Sequence, residues 1–224
     1  MLEIIGMCVE DAKKIQHCGS DRVELVSALT EGGLTPGYGT IEKVVNSVDI
    51  PVNVMVRNHA KSFVYSDYDI EIMKKDIEII KSLGANGIVL GMLDKFNNID
   101  ENNLKSLLEV ADGLDVTFHK AVDETDIAKS IETLNKYDKI TNILTAGGLG
   151  KIENNTDKIK YMIEKSNNIN ILLGGGLNFE NIKNIKDETK ATDFHFGTAV
   201  RIDKSPFGDI DEEKLTKLVR IIQS

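Results

Sequence analysis

Short apolar runs alternate with longer stretches of helical period along the whole chain, and the alternation repeats eight times. The short runs read as buried strands over Leu2–Ile5, Arg22–Val26, Val52–Val56, Gly87–Leu90, Val116–Phe118, Asn142–Thr145, Asn170–Leu173 and Phe194–Phe196. Between them the pattern predicts helices over Val9–Cys18, Gly37–Ser47, Ser66–Leu83, Glu101–Ala111, Asp126–Tyr137, Asp157–Ser166 and Phe179–Thr189, with a last one over Asp211–Gln223. In the third helix Ile70, Met73, Ile77 and Ile80 recur at steps of three and four, which places them on one buried stripe. Gly19, Gly84 and Gly113 fall just beyond helices, where a left-handed residue closes the last turn.

Strict β-α alternation implies parallel strands joined by helical crossovers. Eight units and a closing helix predict a single-domain (β/α)8 TIM barrel over residues 1–224; an open doubly wound sheet is the alternative. The polar residues inside the strands favour closure. Arg22 and Glu24, Asn53 and Arg57, Thr117 and His119, and Asp193 and His195 sit at every second or fourth position, between apolar neighbours. An open sheet covered by helices is apolar on both faces. A barrel turns one set toward the helices and the other toward its axis, where charge is costly unless it is paired or wet.

Composition narrows the partners. The 224 residues carry 27 Lys plus Arg against 36 Asp plus Glu, a formal charge of -9, and affinity for nucleic acid or anionic membrane needs clustered cations instead. No apolar run approaches the ~20 residues of a membrane helix. The start of the chain lacks the basic and apolar regions of a secretory signal. Cys8 and Cys18 make no disulfide framework, so a reducing cytoplasm is expected.

The candidate catalytic residues are Glu24, Arg57, His119, Asp123 and His195, with Glu3 and Arg22 beside them on neighbouring strands. Carboxylates, imidazoles and a guanidinium at the C-terminal ends of barrel strands are the parts for proton transfer with anion clamping. The competing reading is a structural charge network filling the barrel. Lys120 is a candidate phosphate clamp or a solvated cation. Gly174, Gly175 and Gly176 after strand seven, with Gly197 and Thr198 after strand eight, stand where barrel loops cradle phosphate, although tight βα turns also want glycine. A small anionic ligand is the expected partner.

The segment DRVELVSALTEGGLTP from Asp21 to Pro36 resembles the signature of the CutC family of copper homeostasis proteins. PVNVMVR from Pro51 to Arg57 extends the likeness, as do Phe63, Tyr65, Ser66 and Asp67, then VTFHKAVD from Val116 to Asp123 and ILTAGG from Ile143 to Gly148. LGGGL from Leu173 to Leu177, Asn181 and the Asp193-Phe194-His195 triplet complete it. The resemblance implies a cytoplasmic TIM barrel, often a homo-oligomer, with a role in copper binding or tolerance. Many relatives carry cysteines where this chain has Ile5 and Val26. Thiolates suit Cu(I), so these replacements predict weak copper binding or none. Cys8, following Met7 near the expected mouth, is the remaining candidate soft ligand, although a free cysteine ordinarily behaves as a small hydrophobe.

Overall fold

Each strand runs parallel to both of its neighbours, and the eighth pairs with the first, which excludes the open sheet. The computed structural model describes residues 1–223. Its strands are β1 (Leu2–Gly6), β2 (Arg22–Leu25), β3 (Val52–Met55), β4 (Gly87–Leu90), β5 (Asp115–Phe118), β6 (Ile140–Thr145), β7 (Asn170–Leu173) and β8 (Asp193–Phe196). The crossover helices are α1 (Val9–His17), α2 (Tyr38–Val45), α3 (Asp67–Ser82), α4 (Glu101–Val110), α5 (Ile127–Leu134), α6 (Thr156–Lys165) and α7 (Ile182–Thr189). Helix α8 (Glu212–Gln223) closes the ring. The expected TIM barrel is therefore present, with no element end shifted by more than three residues. Short 3-10 turns, such as Lys120–Glu124 and Thr198–Val200, add to the loops after the strands. They are too brief to leave a periodic signal.

Alternation along the strands separates two interiors. Leu2, Ile4, Val23, Leu25, Val52, Val54, Val116, Phe118, Phe194 and Phe196 join the core between sheet and helices. Ile70, Met73, Ile77 and Ile80 of α3 belong to the same cluster. Each such side chain contributes about 1.5–3 kcal/mol by leaving water. Ser66 caps α3 by accepting from the Asp69 amide while Asp69 answers its own, which fixes where the helix begins.

The residues between these apolar positions point to the barrel axis, and the parallel register sets which of them meet. Glu3 pairs in register with Arg22 on one side and His195 on the other, while Glu24 pairs with Ile5 and Asn53. Glycine makes room where this inner layer is crowded. A Cβ on Gly87 would lie 2.7 Å from Asn53 Oδ1, and one on Gly91 would lie 2.4 Å from His119 Nδ1. Gly91, just beyond β4, is thus the space into which the His119 ring fits.

Arg201 has no counterpart in the strand pattern, yet it is among the most deeply buried side chains. Its guanidinium binds Asp11 of α1 at 2.8 Å, the Ile5 carbonyl at 3.0 Å and the Gly208 carbonyl at 2.8 Å. This clamp fastens the segment after β8 to the first β-α unit, where the barrel closes. Removing one member of a buried pair strands the other charge. Arg201→Ala is expected to cost about 3–5 kcal/mol of unfolding free energy, measured by chemical denaturation; a loss below about 1 kcal/mol, the range of an exposed ion pair, would contradict the clamp.

Candidate functional site

The inner residues end in a cavity of about 410 Å³ lined by side chains and loops after the strands. Glu24 comes from β2, Arg57 follows β3, His119 and Lys120 follow β5, and His195 lies on β8. Gly175, Gly176, Gly197 and Thr198 supply loop backbone, while Ile5, Leu29, Met55, Phe63, Leu144 and Leu177 supply apolar surface. The mixture of apolar wall and a few convergent polar groups is that of a small-molecule site.

Beneath the cavity lies a buried charge network. Glu3, fully buried, accepts from Arg22 Nε at 2.5 Å and pairs with His195 Nδ1 at 2.7 Å. Arg22 also reaches Asn142 Oδ1 at 3.4 Å. His195 Nε2 stands 3.8 Å from Glu24 Oε2. Burial tends to raise the pKa of Glu3, but Arg22 and His195 outweigh it and hold the carboxyl below its ordinary value. Burial also works against charge on His195, yet Glu24 and Glu3 prevail and raise its pKa. For Glu24 burial wins: despite His195 opposite, its pKa is pushed up to about 7, with Glu3 adding repulsion and Arg22 opposing. Two carboxylates in one network thus differ because Arg22 binds one and not the other.

His119 is set differently. Its Nδ1 accepts the Ala121 amide at 3.2 Å, which places the ring proton on Nε2. Burial first, then the neighbouring Arg57 and Lys120, depress its pKa to about 3, so the ring is neutral at neutral pH. Phe63 packs against the ring at 4.9 Å and receives Arg57 over its own face at 5.1 Å. Arg57 Nη1 donates to the Glu31 and Gly33 carbonyls at 2.7 and 3.1 Å. Three buried atoms of cavity residues have no partner: Glu24 Oε1, Arg57 Nε and His119 Nε2. Leaving a buried polar atom unsatisfied costs about 1–3 kcal/mol, so each of the three lacks a partner that the protein itself could supply.

The remaining candidates fall into place around this centre. Glu3 and Arg22 do not line the cavity; they hold His195 from below. Asp123 does not line it either. Its carboxylate accepts from Lys120 Nζ, the Thr145 hydroxyl and the amides of Ala146 and Gly148, so it fastens the loop after β6 and positions Lys120. Lys120 leans over Gly175 so closely that a Cβ there would meet its Nζ at 2.5 Å. The Gly175 and Gly176 amides make no hydrogen bond among the described residues, which leaves two donors beside a cation. Gly174 gives space instead, since a Cβ on it would crowd Leu144 and His195. Met55 was readable from its place between Asn53 and Arg57, whereas Leu29, Leu144 and Leu177 carry no sequence signal separating them from core residues.

The residues present do not fit a Cu(I) centre. Ile5 and Val26 pack with Met55 and Val89 in an apolar cluster beside the cavity, joined by Met7 and Leu29. Cys8 does not reach the mouth: its Sγ caps α1 by accepting the Asp11 amide at 3.4 Å, and burial pushes its thiol pKa up, away from the thiolate. Cys18 Sγ faces the Glu212 carbonyl. The convergent donors of Glu3, Glu24 and His195 include no sulfur, and both Glu3 oxygens are already bound.

The neutral His119 gives a direct check. Its folded pKa lies below the ordinary 6.5, so its contribution to stability is present above pH 6.5 and is lost as pH falls toward 3. Nitrogen-15 NMR of the imidazole is expected to show the Nε2–H neutral form from pH 8 down to about pH 4. A titration midpoint near 6.5 would contradict this site geometry.

Known proteins agree with this architecture. The model of the CutC family matches residues 1–200. A human copper homeostasis protein cutC homolog is 38% identical over 197 residues, covering 87% of this chain and 72% of its own length. A family protein CutC of Enterococcus faecalis is 37% identical, covering 86% of this chain and 97% of its own. The crystal structure of a copper homeostasis protein CutC from Streptococcus agalactiae superposes with a TM-score of 0.82 at 33% identity, covering 88% of this chain and 97% of that one. Phosphoribosyl anthranilate isomerase of Thermotoga maritima, at 16% identity and a TM-score of 0.68 over 99% of this chain and 98% of that one, shares the fold alone. Sequence signature, barrel and relatives together establish that the chain belongs to the CutC family.

Proposed function

We propose that this chain serves copper homeostasis in the cytoplasm, the role carried in the names of its relatives, by binding a small anionic molecule at the barrel mouth. A thiolate-held Cu(I) ion is not part of this reading, because the aliphatic Ile5 and Val26 stand beside the cavity and no cysteine among the described residues lines it. The homo-oligomer implied by the family resemblance belongs to the same reading.

The observation that carries the proposal is the set of donors around one cavity. Arg57 offers an unused Nε, His119 an unused Nε2–H, Lys120 a cation, and the Gly175 and Gly176 amides two backbone donors. A chain of charge -9 repels anions as a whole, so capture depends on such a local concentration. Apolar surface from Leu29, Met55 and Phe63 favours a ligand with a carbon body behind its charge.

The test combines two titrations of the reduced protein. Inorganic phosphate and sugar phosphates are expected to raise the melting temperature beyond the effect of equal ionic strength, and Arg57→Ala is expected to weaken that binding at least tenfold with the fold retained. Cu(I) supplied from a competing chelator is expected to remain with the chelator. Indifference to phosphates would remove the anion-binding reading, and tight stoichiometric copper abolished by Cys8→Ser would reverse the copper reading.

A further inference from the structure

We propose that the cavity catalyses proton transfer at a carbon adjacent to a carbonyl group of a small anionic substrate, with the Glu24 carboxylate as base and His119 Nε2–H as donor to the carbonyl oxygen. The proposal rests on the anion-binding reading of the same cavity and adds a reaction to it.

The two orphaned atoms are of opposite character. Glu24 Oε1 is an acceptor and His119 Nε2–H a donor, each buried, each unpartnered, on side chains that line one cavity from β2 and from the end of β5. Burial confines both side chains. Glu24 is buried beside His195, which Glu3 holds through Nδ1, so Glu3 and His195 act as positioning residues. The His119 ring is wedged into the space at Gly91, packed on Phe63 and tied at Nδ1 to the Ala121 amide. Arg57 adds a third buried donor in Nε. An acceptor and a donor fixed around one small cavity, with an anion clamp beside them, form an enolisation site.

The chemistry closes without another reactant. The Glu24 carboxylate takes the proton from the α-carbon. The C–H electron pair forms the carbon–carbon double bond, and the carbonyl π pair moves onto oxygen, where His119 Nε2–H and Arg57 stabilise it. Glu24 then returns the proton to the same carbon or, for an α-hydroxycarbonyl compound, to its neighbour, once the hydroxyl proton has passed between the two oxygens. Atoms and electrons balance, and no oxidation occurs. The environment matches the roles: burial brings Glu24 to a pKa of about 7, suited to taking and returning a proton near neutral pH, and keeps His119 neutral as a hydrogen-bond donor.

The test uses the intact protein in D2O with three probes: glycolaldehyde phosphate, dihydroxyacetone phosphate and ribulose 5-phosphate. Proton NMR follows exchange of the α-hydrogens for deuterium, and calorimetry measures binding in parallel. At least one probe is expected to bind and to exchange at least 100-fold faster than in buffer. Glu24→Gln and His119→Gln are each expected to lower exchange by about 10²–10⁴-fold, with affinity changed only a few-fold. Circular dichroism confirms folding, and the two variants provide independent tests. Binding without exchange in the wild type would overturn the proton-transfer proposal and leave the anion-binding reading standing. Absence of binding by all three would overturn both. Exchange unchanged in both folded variants would assign the reaction to other groups and overturn the roles of Glu24 and His119.

Discussion

The inner structure depends on one constraint: a carboxylate removed from water must find its countercharge inside the barrel. Glu3 is fully buried, and the parallel register places Arg22 and His195 at its own level on the two adjoining strands. Both of its oxygens are therefore bound, and it stays ionised where an isolated carboxyl would be neutral. The upper layer of the barrel follows from that arrangement. His195 is turned so that its second nitrogen faces Glu24 Oε2, and Glu24, with Arg22 committed to Glu3, keeps a buried Oε1 without a partner on a side chain that lines the cavity. The structural network and the residues that line the cavity are thus two levels of one construction.

The barrel was legible in the sequence because several strands show period two with helical period between strands, and charge at Arg22, Glu24, His119 and His195 fits the inner face of a closed barrel better than an open sheet covered by helices. Those residues do point inward, and Glu24, Arg57, His119 and His195 meet at one cavity. Asp123 shows where sequence reasoning stops. It lies four residues beyond His119, yet its carboxylate is consumed by loop amides and Lys120, contacts set by how the loop after β6 folds back. Arg201 was illegible for a related reason: it sits in an irregular segment, and its partners Asp11 and Ile5 lie about 190 residues away in the chain. Periodicity reports which face a residue occupies; partners contributed by loops leave no period.

Membership of the CutC family fixes the fold and the lineage, while Ile5 and Val26 set the apolar character beside the cavity. Ile5 and Val26 share one apolar cluster with Met55 and Val89, and Ile5 and Met55 of that cluster line the cavity. Glycine is required at Gly91 for the same physical reason that His119 is rigid: the ring occupies the volume a side chain would need. Rigid donors aimed at a cavity reduce the reorganisation needed when a ligand or a transition state arrives.

With Arg22 bound to Glu3, Glu24 is the carboxyl of the network whose pKa is raised toward neutrality. Carbon-13 NMR of the glutamate side-chain carboxyls, with the Glu24 resonance identified through Glu24→Gln, measures this directly. A Glu24 midpoint at about 7, well above the ordinary 4.5, is expected, with Glu3 ionised through that range. A Glu24 midpoint at or below 4.5, or a Glu3 that protonates first as the pH falls, would contradict it.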